Sequence, residues 1–328
     1  MTKIKIGVLG VSNHLIKRII LPLKQTYNCE IYGIASRSPE KADELAKKFH
    51  INKKYDSYSE LLSDEEIDAV YIPLPNHLHL KWIKEAAQHG KHILCEKPLT
   101  LNAEEAKEAE EYARLNKVVL CEAFMYKYHP LWIHAQNLIK TSQLGKIMYI
   151  RTSFAYNNPN PENIRNIKEY GGGALMDIGC YAISAARFLT SKEPIRVISL
   201  MQENKTSKTD ILTSGILDFD GIHSSFTVST LSEPNQTVEI VATAGSIKIH
   251  VPFNTYVDTK SSITVSSPQG TREIEFDICD QYGLMFEAFS EKVKNNDIEN
   301  NSLLDTLNNM KVIDAIFKSA KSNSWEMV

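Results

Sequence analysis

The stretch IGVLGVSNHLIKR, residues 6–18, sets the interpretation of the whole chain. It begins as an apolar strand with Gly7, turns at Gly10 and continues with helical spacing. The two later positions of the pattern G-x-G-x-x-G hold Ser12 and Leu15 instead of glycine. A strand, tight turn and helix start in this order presents backbone N–H groups to a pyrophosphate. The stretch predicts a dinucleotide-binding loop of altered composition, or else a plain turn in which Ser12 caps the helix.

Strand and helix patterns alternate through the first 122 residues. Apolar strand-like stretches cover residues 3–9, 29–36, 67–73, 91–96 and 117–122, with helical patterns between them. Apolar strands separated by helices are typical of a parallel sheet that is covered on both faces. We therefore predict an α/β fold with a doubly wound parallel sheet over residues 1–122.

The pattern changes after residue 122. Seven or so strand-like stretches between residues 194 and 277 alternate apolar with polar residues, and helical patterns flank them on both sides. Such alternation is typical of an antiparallel sheet with one open face. We predict that residues 123–328 form an α+β domain with a large, mostly antiparallel, open-faced sheet.

Composition excludes several classes of partner. Lys and Arg are interspersed with Asp and Glu and the net charge is −3 at pH 7, so we expect no nucleic-acid partner. No signal peptide and no membrane-spanning apolar run is evident, which predicts a protein without a membrane partner. The five scattered cysteines, without a C-x-x-C pair, indicate free thiols and a cytoplasmic location.

Ligands of parallel sheets bind beyond the carboxyl ends of the strands, so the residues after each strand are candidates. In the first turn, Ser12 and Asn13 offer a hydroxyl and an amide to phosphate. The stretch 29–36 ends at Ser36 and is followed by Arg37, where NAD-selective sheets usually have a carboxylate. A guanidinium beside a hydroxyl can bind a 2′-phosphate, which favours NADP(H) over NAD(H). A solvated Arg37 is the alternative.

Two further strand ends extend the predicted cofactor site. After residues 67–73, the two prolines of IPLPNHLH restrict the backbone where the chain leaves the strand. We predict that this loop lines the part of the cofactor site that holds the nicotinamide. Its contributing residues are Pro73, Leu74, Asn76 and His79. His77 and His79 form an H-x-H pair, but no third ligand stands at a recognisable spacing, so we predict no metal site.

The stretch ILCEKPLT places Glu96 and Lys97 directly after an apolar strand. Both are predicted to contact the cofactor, and Lys97 is also positioned to be a cationic partner for a reacting oxygen. A solvated loop lysine is the alternative. Pro98 fixes the backbone at this point, and the sequence leaves open whether the Lys97–Pro98 bond is cis.

A helical pattern follows the three glycines at 171–173, and it places Asp177 and Tyr181 four residues apart on one face. A tyrosine near a lysine can have its phenol pKa lowered, which makes it a usable proton donor to a carbonyl. The alternative for Tyr181 is a packing role in the core.

Four motifs together resemble the Gfo/Idh/MocA oxidoreductases: PNHLH, ILCEKPLT, CEAFMYKYHP (121–130) and GGGALMDIGCY (171–181). The resemblance extends over nearly the whole chain. It implies a Rossmann domain followed by a predominantly antiparallel sheet domain. It also implies a homodimer or homotetramer formed through that second sheet.

The resemblance further implies an NADP(H)-dependent transfer of hydride between nicotinamide and a sugar or sugar-like alcohol/ketone. In this interpretation Tyr181 exchanges a proton with the substrate oxygen, Lys97 stabilises negative charge on that oxygen, and Asp177 orients the substrate or the catalytic pair. Further candidate contacts to the small-molecule substrate are Arg165, Lys127 and His129.

Several alternatives stay open at this point. Arg165 is alternatively a surface loop residue, and His129 a helix-entry residue before Pro130. The enzyme is alternatively a nucleotide-sugar ketoreductase or a cyclic-diol dehydrogenase. A catalytically silent NADP-sensing regulator is the alternative from another functional class, although such a protein needs neither Lys97 nor Tyr181.

Overall fold

The computed structural model describes residues 2–12, 14–23, 26–298 and 303–328. The chain divides into two compact units, Met1–Met125 with Asp280–Leu307, and Tyr126–Cys279 with Asn308–Val328. The division into functional domains at residues 122 and 123 stays a prediction.

The first unit is built around a parallel sheet of six strands among the described residues. The strands are β1 (Ile4–Leu9), β2 (Cys29–Ala35), β3 (Lys53–Tyr55), β4 (Ala69–Ile72), β5 (His92–Cys95) and β6 (Leu120–Glu122). Their order is β3-β2-β1-β4-β5-β6, and each neighbouring pair is parallel. This confirms the predicted doubly wound sheet, with the order reversing beside β1. The alternation did not reveal β3, because three residues are too few to show a period.

Helices connect these strands. They are α1 (Ile20–Leu23), α2 (Pro39–Phe49), α3 (Tyr58–Ser63), α4 (His79–Gln88) and α5 (Ala103–Leu115), and α8 (Gln281–Lys294) also belongs to this unit. Strand β4 is apolar and buried along its whole length, and the carboxyl-terminal halves of β1 and β2 are buried as well, because both faces of the sheet are covered. Leu61, Val70 and Ile93 are fully buried in the core. Each such side chain stabilises the fold by about 1.5–3 kcal/mol relative to exposure.

The second unit contains a nine-stranded sheet among the described residues. Its strands are β7 (Ile147–Asn157), β8 (Arg196–Glu203), β9 (Asp210–Asp218), β10 (His223–Ser229), β11 (Leu231–Ala242), β12 (Gly245–Ile249), β13 (Ser261–Ser267), β14 (Gly270–Phe276) and β15 (Glu326–Met327). The order is β14-β13-β12-β11-β7-β10-β9-β8-β15. Strands β7 and β10 pair in parallel and the remaining neighbours are antiparallel.

One face of this sheet is open, as the alternation predicts. Along β9, Thr213 and Leu217 are buried, whereas Leu212 and Ile216 are exposed. The remaining α-helices of the described residues are α6 (Pro130–Lys140), α7 (Cys180–Thr190) and α9 (Leu304–Ser322). Helix α9 belongs to this unit from Asn308 onward. None of the helices in the described ranges combines the length and the apolar character needed to cross a membrane.

Candidate active site

The turn after β1 requires glycine at position 10. Gly10 has a φ of +120°, and a Cβ atom there would lie 3.0 Å from Leu74 Cδ2. Its N–H donates to the Ala35 carbonyl at 2.8 Å, which joins the ends of β1 and β2. By contrast, Gly7 lies inside β1, and a Cβ there would meet Leu61 at 2.5 Å. Packing therefore accounts for Gly7, whereas Gly10 keeps the turn open at the reversal of strand order.

The start of the following helix is capped by Ser12. Its Oγ accepts a 3.0 Å hydrogen bond from the Leu15 N–H. A π-helical turn over Leu15–Ile19 then continues into α1. The predicted phosphate contact Asn13 lies outside the described residues. The cap fixes the geometry of the turn, and a phosphate contact of Ser12 stays a prediction.

The residue after the buried Ser36 at the end of β2 is a cation, Arg37. Arg37 is exposed, while Ser36 is buried and its Oγ accepts a hydrogen bond from the Ser38 N–H at 3.2 Å. Burial raises the pKa of the nearby Tyr58 phenol, and the positive charge of Arg37 opposes that shift. Arg37 is therefore the group at this strand end that is best placed to attract an anion.

Residues after β4 form the next part of the same sheet edge. Leu74 is almost fully buried, Pro73 is half-buried, and a short 3-10 turn begins at Asn76 and leads into α4. The His79 side chain is completely buried. Its Nδ1 lies 3.0 Å from the Pro98 carbonyl oxygen and its Nε2 lies 2.8 Å from the Leu74 carbonyl oxygen. The ring therefore joins two loops, and we leave His79 out of the proposed direct cofactor contacts.

The carboxylate of Glu96 is held by three neighbouring groups at the end of β5. Its Oε1 accepts a 2.7 Å hydrogen bond from the Tyr71 phenol and lies 3.5 Å from Nε2 of His14. Burial by itself raises the pKa of Glu96, but the His14 imidazole, the Lys97 ammonium and the Tyr71 phenol outweigh burial and lower it to about 2. Burial and the adjacent Glu96 raise the pKa of Tyr71 well above its usual value, so the phenol remains the donor.

The backbone after Glu96 is fixed as well. The Lys97–Pro98 peptide bond is cis, and the Leu99 N–H donates to Glu122 Oε1 at 2.9 Å. Lys97 itself is half-buried. Gly10, Leu74, Glu96 and Lys97 thus lie at the carboxyl edge of one sheet, where open α/β folds bind ligands.

In the second unit, the glycine-rich segment packs closely against β9. Gly173 has a φ of +123°, and a Cβ there would lie 2.0 Å from Asp210 Oδ1. The Asp210 carboxylate also accepts from the Leu175 N–H at 2.7 Å and from the Thr213 hydroxyl at 2.6 Å. The first turn after the glycines is π-helical over Leu175–Gly179 and continues as α7. Gly173 is therefore required by the approach of a buried carboxylate.

The structure brings the predicted residues Arg165 and Asp177 together. Oδ2 of Asp177 accepts a hydrogen bond from Arg165 Nε at 2.9 Å and another from the Tyr156 phenol at 2.6 Å. The Asp177 side chain is 14% exposed and that of Arg165 is 39% exposed. The Asp177 charge raises the pKa of Arg165, so the guanidinium stays positive. Burial, followed by Asp177, raises the pKa of Tyr156.

Tyr181 lies one helical turn after Asp177. It is buried, and its ring packs against Phe253 with centroids 5.1 Å apart, against Phe154 at 5.9 Å and against Tyr126 at 6.1 Å. These aromatic contacts orient the ring with little freedom. The packing role and a proton-donor role are therefore compatible at this position.

Lys127 and His129 lie in the segment before α6. Lys127 is half-buried. His129 is 1% exposed, and its Nδ1 accepts a 3.1 Å hydrogen bond from the Leu131 N–H at the start of α6. Its Nε2 lies 3.4 Å from both Ser261 Oγ and Cys279 Sγ. These partners engage both ring nitrogens, so His129 is not carried into the proposed substrate site.

Several residues that hold candidate site residues were not predicted from the sequence: His14 and Tyr71 in the first unit, and Tyr156 and Asp210 in the second. Tyr71 had one usable signal, since it stands near the end of the strand that pairs with β5. The sequence has no local pattern that connects Asp210 with the glycines or Tyr156 with Asp177. Within the described ranges, no three His, Cys, Asp or Glu residues are grouped so as to hold a metal ion.

Comparison with known families gives two consecutive matches. Residues 4–124 match the sequence model of the Gfo/Idh/MocA family, described as an oxidoreductase family with an NAD-binding Rossmann fold. Residues 132–248 match the model of the Gfo/Idh/MocA C-terminal domain.

Individual relatives match along nearly the whole chain. The chain is 35% identical over 336 residues to an uncharacterised oxidoreductase from Rhizobium meliloti, covering 100% of each. It is 34% identical to an NADP(+) D-xylose 1-dehydrogenase from Haloferax volcanii, over 97% of this chain and 98% of that one. A 3-ketoreductase from Actinomadura kijaniata, solved with NADP and TDP-benzene, superimposes with a TM-score of 0.91 at 26% identity, over 97% of this chain and 98% of that one.

Proposed function

Because the chain belongs to the Gfo/Idh/MocA family of oxidoreductases, we propose that it transfers hydride between NADP(H) and a sugar or sugar-like alcohol/ketone pair. The observation that carries this proposal lies in the second unit. There Asp177 is paired with Arg165, and Tyr181 lies one helical turn after Asp177. Polyhydroxylated substrates require such paired donors and acceptors beside the reacting group.

The turn after β1 fits a dinucleotide. Gly10 leaves free the space that a Cβ would fill beside Leu74, and the strand order reverses at this strand. Backbone N–H groups at the start of the following helix would hold the pyrophosphate. At the end of β2, Arg37 would neutralise the 2′-phosphate, and the NADP(+) specificity of the Haloferax relative supports this choice. When bound, the nicotinamide supplies or accepts the hydride.

Two side chains would act on the substrate oxygen, one by proton transfer and one by stabilising its charge. In the reducing direction, Tyr181 donates its phenol proton to the carbonyl oxygen as hydride reaches the carbonyl carbon. Lys97 stabilises the negative charge that develops on that oxygen. In the oxidising direction the same groups act in reverse, so the phenolate form of Tyr181 takes up the hydroxyl proton.

The Asp177–Arg165 pair would orient the sugar hydroxyls. The carboxylate accepts hydrogen bonds from hydroxyl groups, and the half-exposed guanidinium donates them. The Tyr156 phenol donates to the same carboxylate oxygen as Arg165 and helps to hold it in place. Lys127 is a further candidate contact from the adjacent segment.

Steady-state turnover tests the proposal. Purified protein is assayed with NADP⁺ and a panel of aldoses, with D-xylose included because of the Haloferax relative. The Tyr181→Phe variant keeps the ring contacts and should lower kcat by about 10²-fold or more, the range of general acid–base catalysis. Tyr126→Phe is the matched control, since it removes another hydroxyl from the same aromatic cluster. Equal turnover in all three proteins would contradict the proton-donor role.

One alternative substrate class has support from a specific similarity. The Actinomadura relative is a 3-ketoreductase solved with a TDP compound, so keto sugars linked to dTDP belong in the substrate panel. A silent NADP-binding regulator is distinguished by NADPH binding without turnover on any aldose, ketose, diol or nucleotide sugar. Unaltered NADPH binding in Lys97→Ala and Tyr181→Phe would accompany that result.

The open face of the second sheet supports a homo-oligomer as part of the proposal. Leu200 on β8 is 75% exposed, and Leu212 and Ile216 on β9 are exposed on the same face. A second copy of the chain would cover these apolar side chains. Light scattering should show a dimer or tetramer for the wild type. The Leu200→Asp variant should form a smaller species. The five cysteines form no disulfide bond within the described residues, which supports a cytoplasmic location as part of the proposal.

A further inference from the structure

His79 contacts a backbone carbonyl with each of its ring nitrogens. Nδ1 lies 3.0 Å from the carbonyl oxygen of Pro98 and Nε2 lies 2.8 Å from that of Leu74. The side chain has no exposed surface. Leu74 follows β4, whereas Pro98 follows β5, so one buried ring connects the loops at the ends of two neighbouring strands.

The chemistry of these two contacts is unusual for histidine. A carbonyl oxygen only accepts, so both nitrogens donate simultaneously only in the imidazolium form. Burial lowers the pKa of His79 below its usual value, against the opposing effects of the carbonyls of Leu74 and Pro98 and of the Glu96 charge, so the neutral ring is favoured. In the neutral ring one contact is a hydrogen bond and the other brings a nitrogen lone pair against oxygen. In both forms the ring lies between the two loops, in contact with a carbonyl oxygen of each.

We infer that His79 is a positioning residue for Lys97. It connects the Pro98 carbonyl, one residue after Lys97, with the loop after β4 and thereby sets where the ammonium group lies. This inference rests on the role proposed for Lys97 under the proposed function. It also separates His79 from the residues that touch cofactor or substrate, because a fully buried ring acts through its two carbonyl partners.

Other side chains hold the residues on either side of Lys97. The Glu96 side chain before Lys97 is held by Tyr71. The Leu99 N–H after it is held by Glu122. The Pro98 carbonyl between them contacts the His79 ring. The Pro98 carbonyl and the Leu99 N–H belong to one peptide group, so loss of the ring should remove one of its two side-chain contacts and loosen the peptide that begins one residue after Lys97.

The first test observes Lys97 without requiring turnover. Lysines are reductively methylated with ¹³C-formaldehyde, and the Lys97 resonance is identified by its absence in Lys97→Arg. We expect His79→Leu to shift or broaden that resonance, and His79→Gln, which keeps one amide donor, to do so less. His89→Leu is the control, because His89 is an exposed histidine at the end of the same helix. An unchanged Lys97 resonance in both folded His79 variants would overturn the inference.

The second test asks whether His79 acts through Lys97. His79→Leu should lower kcat about 10-fold or more, because small displacements of a catalytic group are costly. In the Lys97→Ala background the same change should lower kcat less than about 2-fold, since residues that act as a unit are not additive. Equal losses in both backgrounds would overturn the inference. A shifted resonance with unchanged turnover would support the positioning role while contradicting the catalytic role proposed for Lys97.

Discussion

Asp177 accepts a hydrogen bond from Arg165 Nε at 2.9 Å, and the same carboxylate oxygen accepts one from the Tyr156 phenol at 2.6 Å. Arg165 reaches this position from a 3-10 turn over Ile164–Asn166, and Asp177 from the π-helical turn before α7. Two segments distant in the sequence thus meet one helical turn before Tyr181. The pair is the most specific feature of the second unit, and it makes the orientation of Asp177 depend on Arg165.

Arg165→Lys should lower kcat/KM for the sugar substrate by about 10-fold. A lysine ammonium cannot reproduce the hydrogen bond from Nε, and hydrogen bonds to charged groups contribute about 1.5–3 kcal/mol. Steady-state kinetics on the best aldose of the panel measure the change. Arg196→Lys is the matched control, because Arg196 Nε donates to Asp218 Oδ2 at the same distance of 2.9 Å on β8 and β9. A comparable loss in both variants would show that the effect is not specific to Asp177.

Arg37→Ala should change the choice of cofactor. We expect the Kd for NADPH to rise about 10-fold, since a charge-assisted hydrogen bond to the 2′-phosphate is lost, while the Kd for NADH changes less than about 2-fold. Fluorescence titration of both cofactors measures this difference. Lys41→Ala removes another exposed cation just inside α2 and should leave both constants unchanged. A parallel rise in both constants after Arg37→Ala would refute recognition of the phosphate.

Gly10→Ala should weaken both the fold and cofactor binding. A φ of +120° strains any residue with a Cβ, at about 1–3 kcal/mol, and the new methyl group would press on Leu74. We expect a lower free energy of unfolding and a Kd for NADPH raised about 10-fold. Gly221→Ala introduces similar backbone strain at a φ of +88° with no atom within 4 Å of the new Cβ. It should lower stability without changing the Kd, and an unchanged Kd in Gly10→Ala would contradict the assigned turn.

His129 should make stability depend on pH below neutrality. Burial lowers its pKa in the folded protein to about 4 from 6.5, so between these values the unfolded chain binds more protons. Stability is therefore complete above about pH 6.5 and is lost as the pH falls toward 4. Between pH 7 and pH 5 the loss from this residue should be about 2 kcal/mol.

Urea unfolding at the two pH values measures that loss. The control is His129→Asn, which keeps a side-chain acceptor at the start of α6 but does not titrate. The variant should lose less stability than wild type between pH 7 and pH 5, with the contributions of all other groups cancelling in the comparison. Identical losses in the two proteins would contradict a lowered His129 pKa.

Local sequence patterns predicted the scaffold because they report directly on burial. Apolar runs identified β1, β2, β4 and β5, and the strand ends identified the positions of Gly10 and Lys97. Alternation along β9 predicted an open-faced sheet. Each of these inferences needs only neighbours along the chain.

Side-chain partners across the fold were not predictable in the same way. The place of His79 in the loop after residues 67–73 suggested cofactor contact, whereas the ring is buried against the carbonyls of Leu74 and Pro98. Nothing local indicates that Tyr71 would donate to Glu96, since that bond depends on the pairing of two strands. These contacts depend on which way each side chain is buried and on the register of the strands. Both are determined only when the sheet assembles.

Direct hydride transfer from a labelled sugar tests the central claim. Wild type and Tyr181→Phe are incubated with NADP⁺ and an aldose deuterated at C1, and the reduced cofactor is analysed by mass spectrometry. The account predicts NADPH carrying one deuterium with wild type and at least about 10²-fold slower labelling with Tyr181→Phe. An absence of labelled cofactor for every sugar of the panel, with either NADP⁺ or NAD⁺ and with cofactor binding intact, would contradict it.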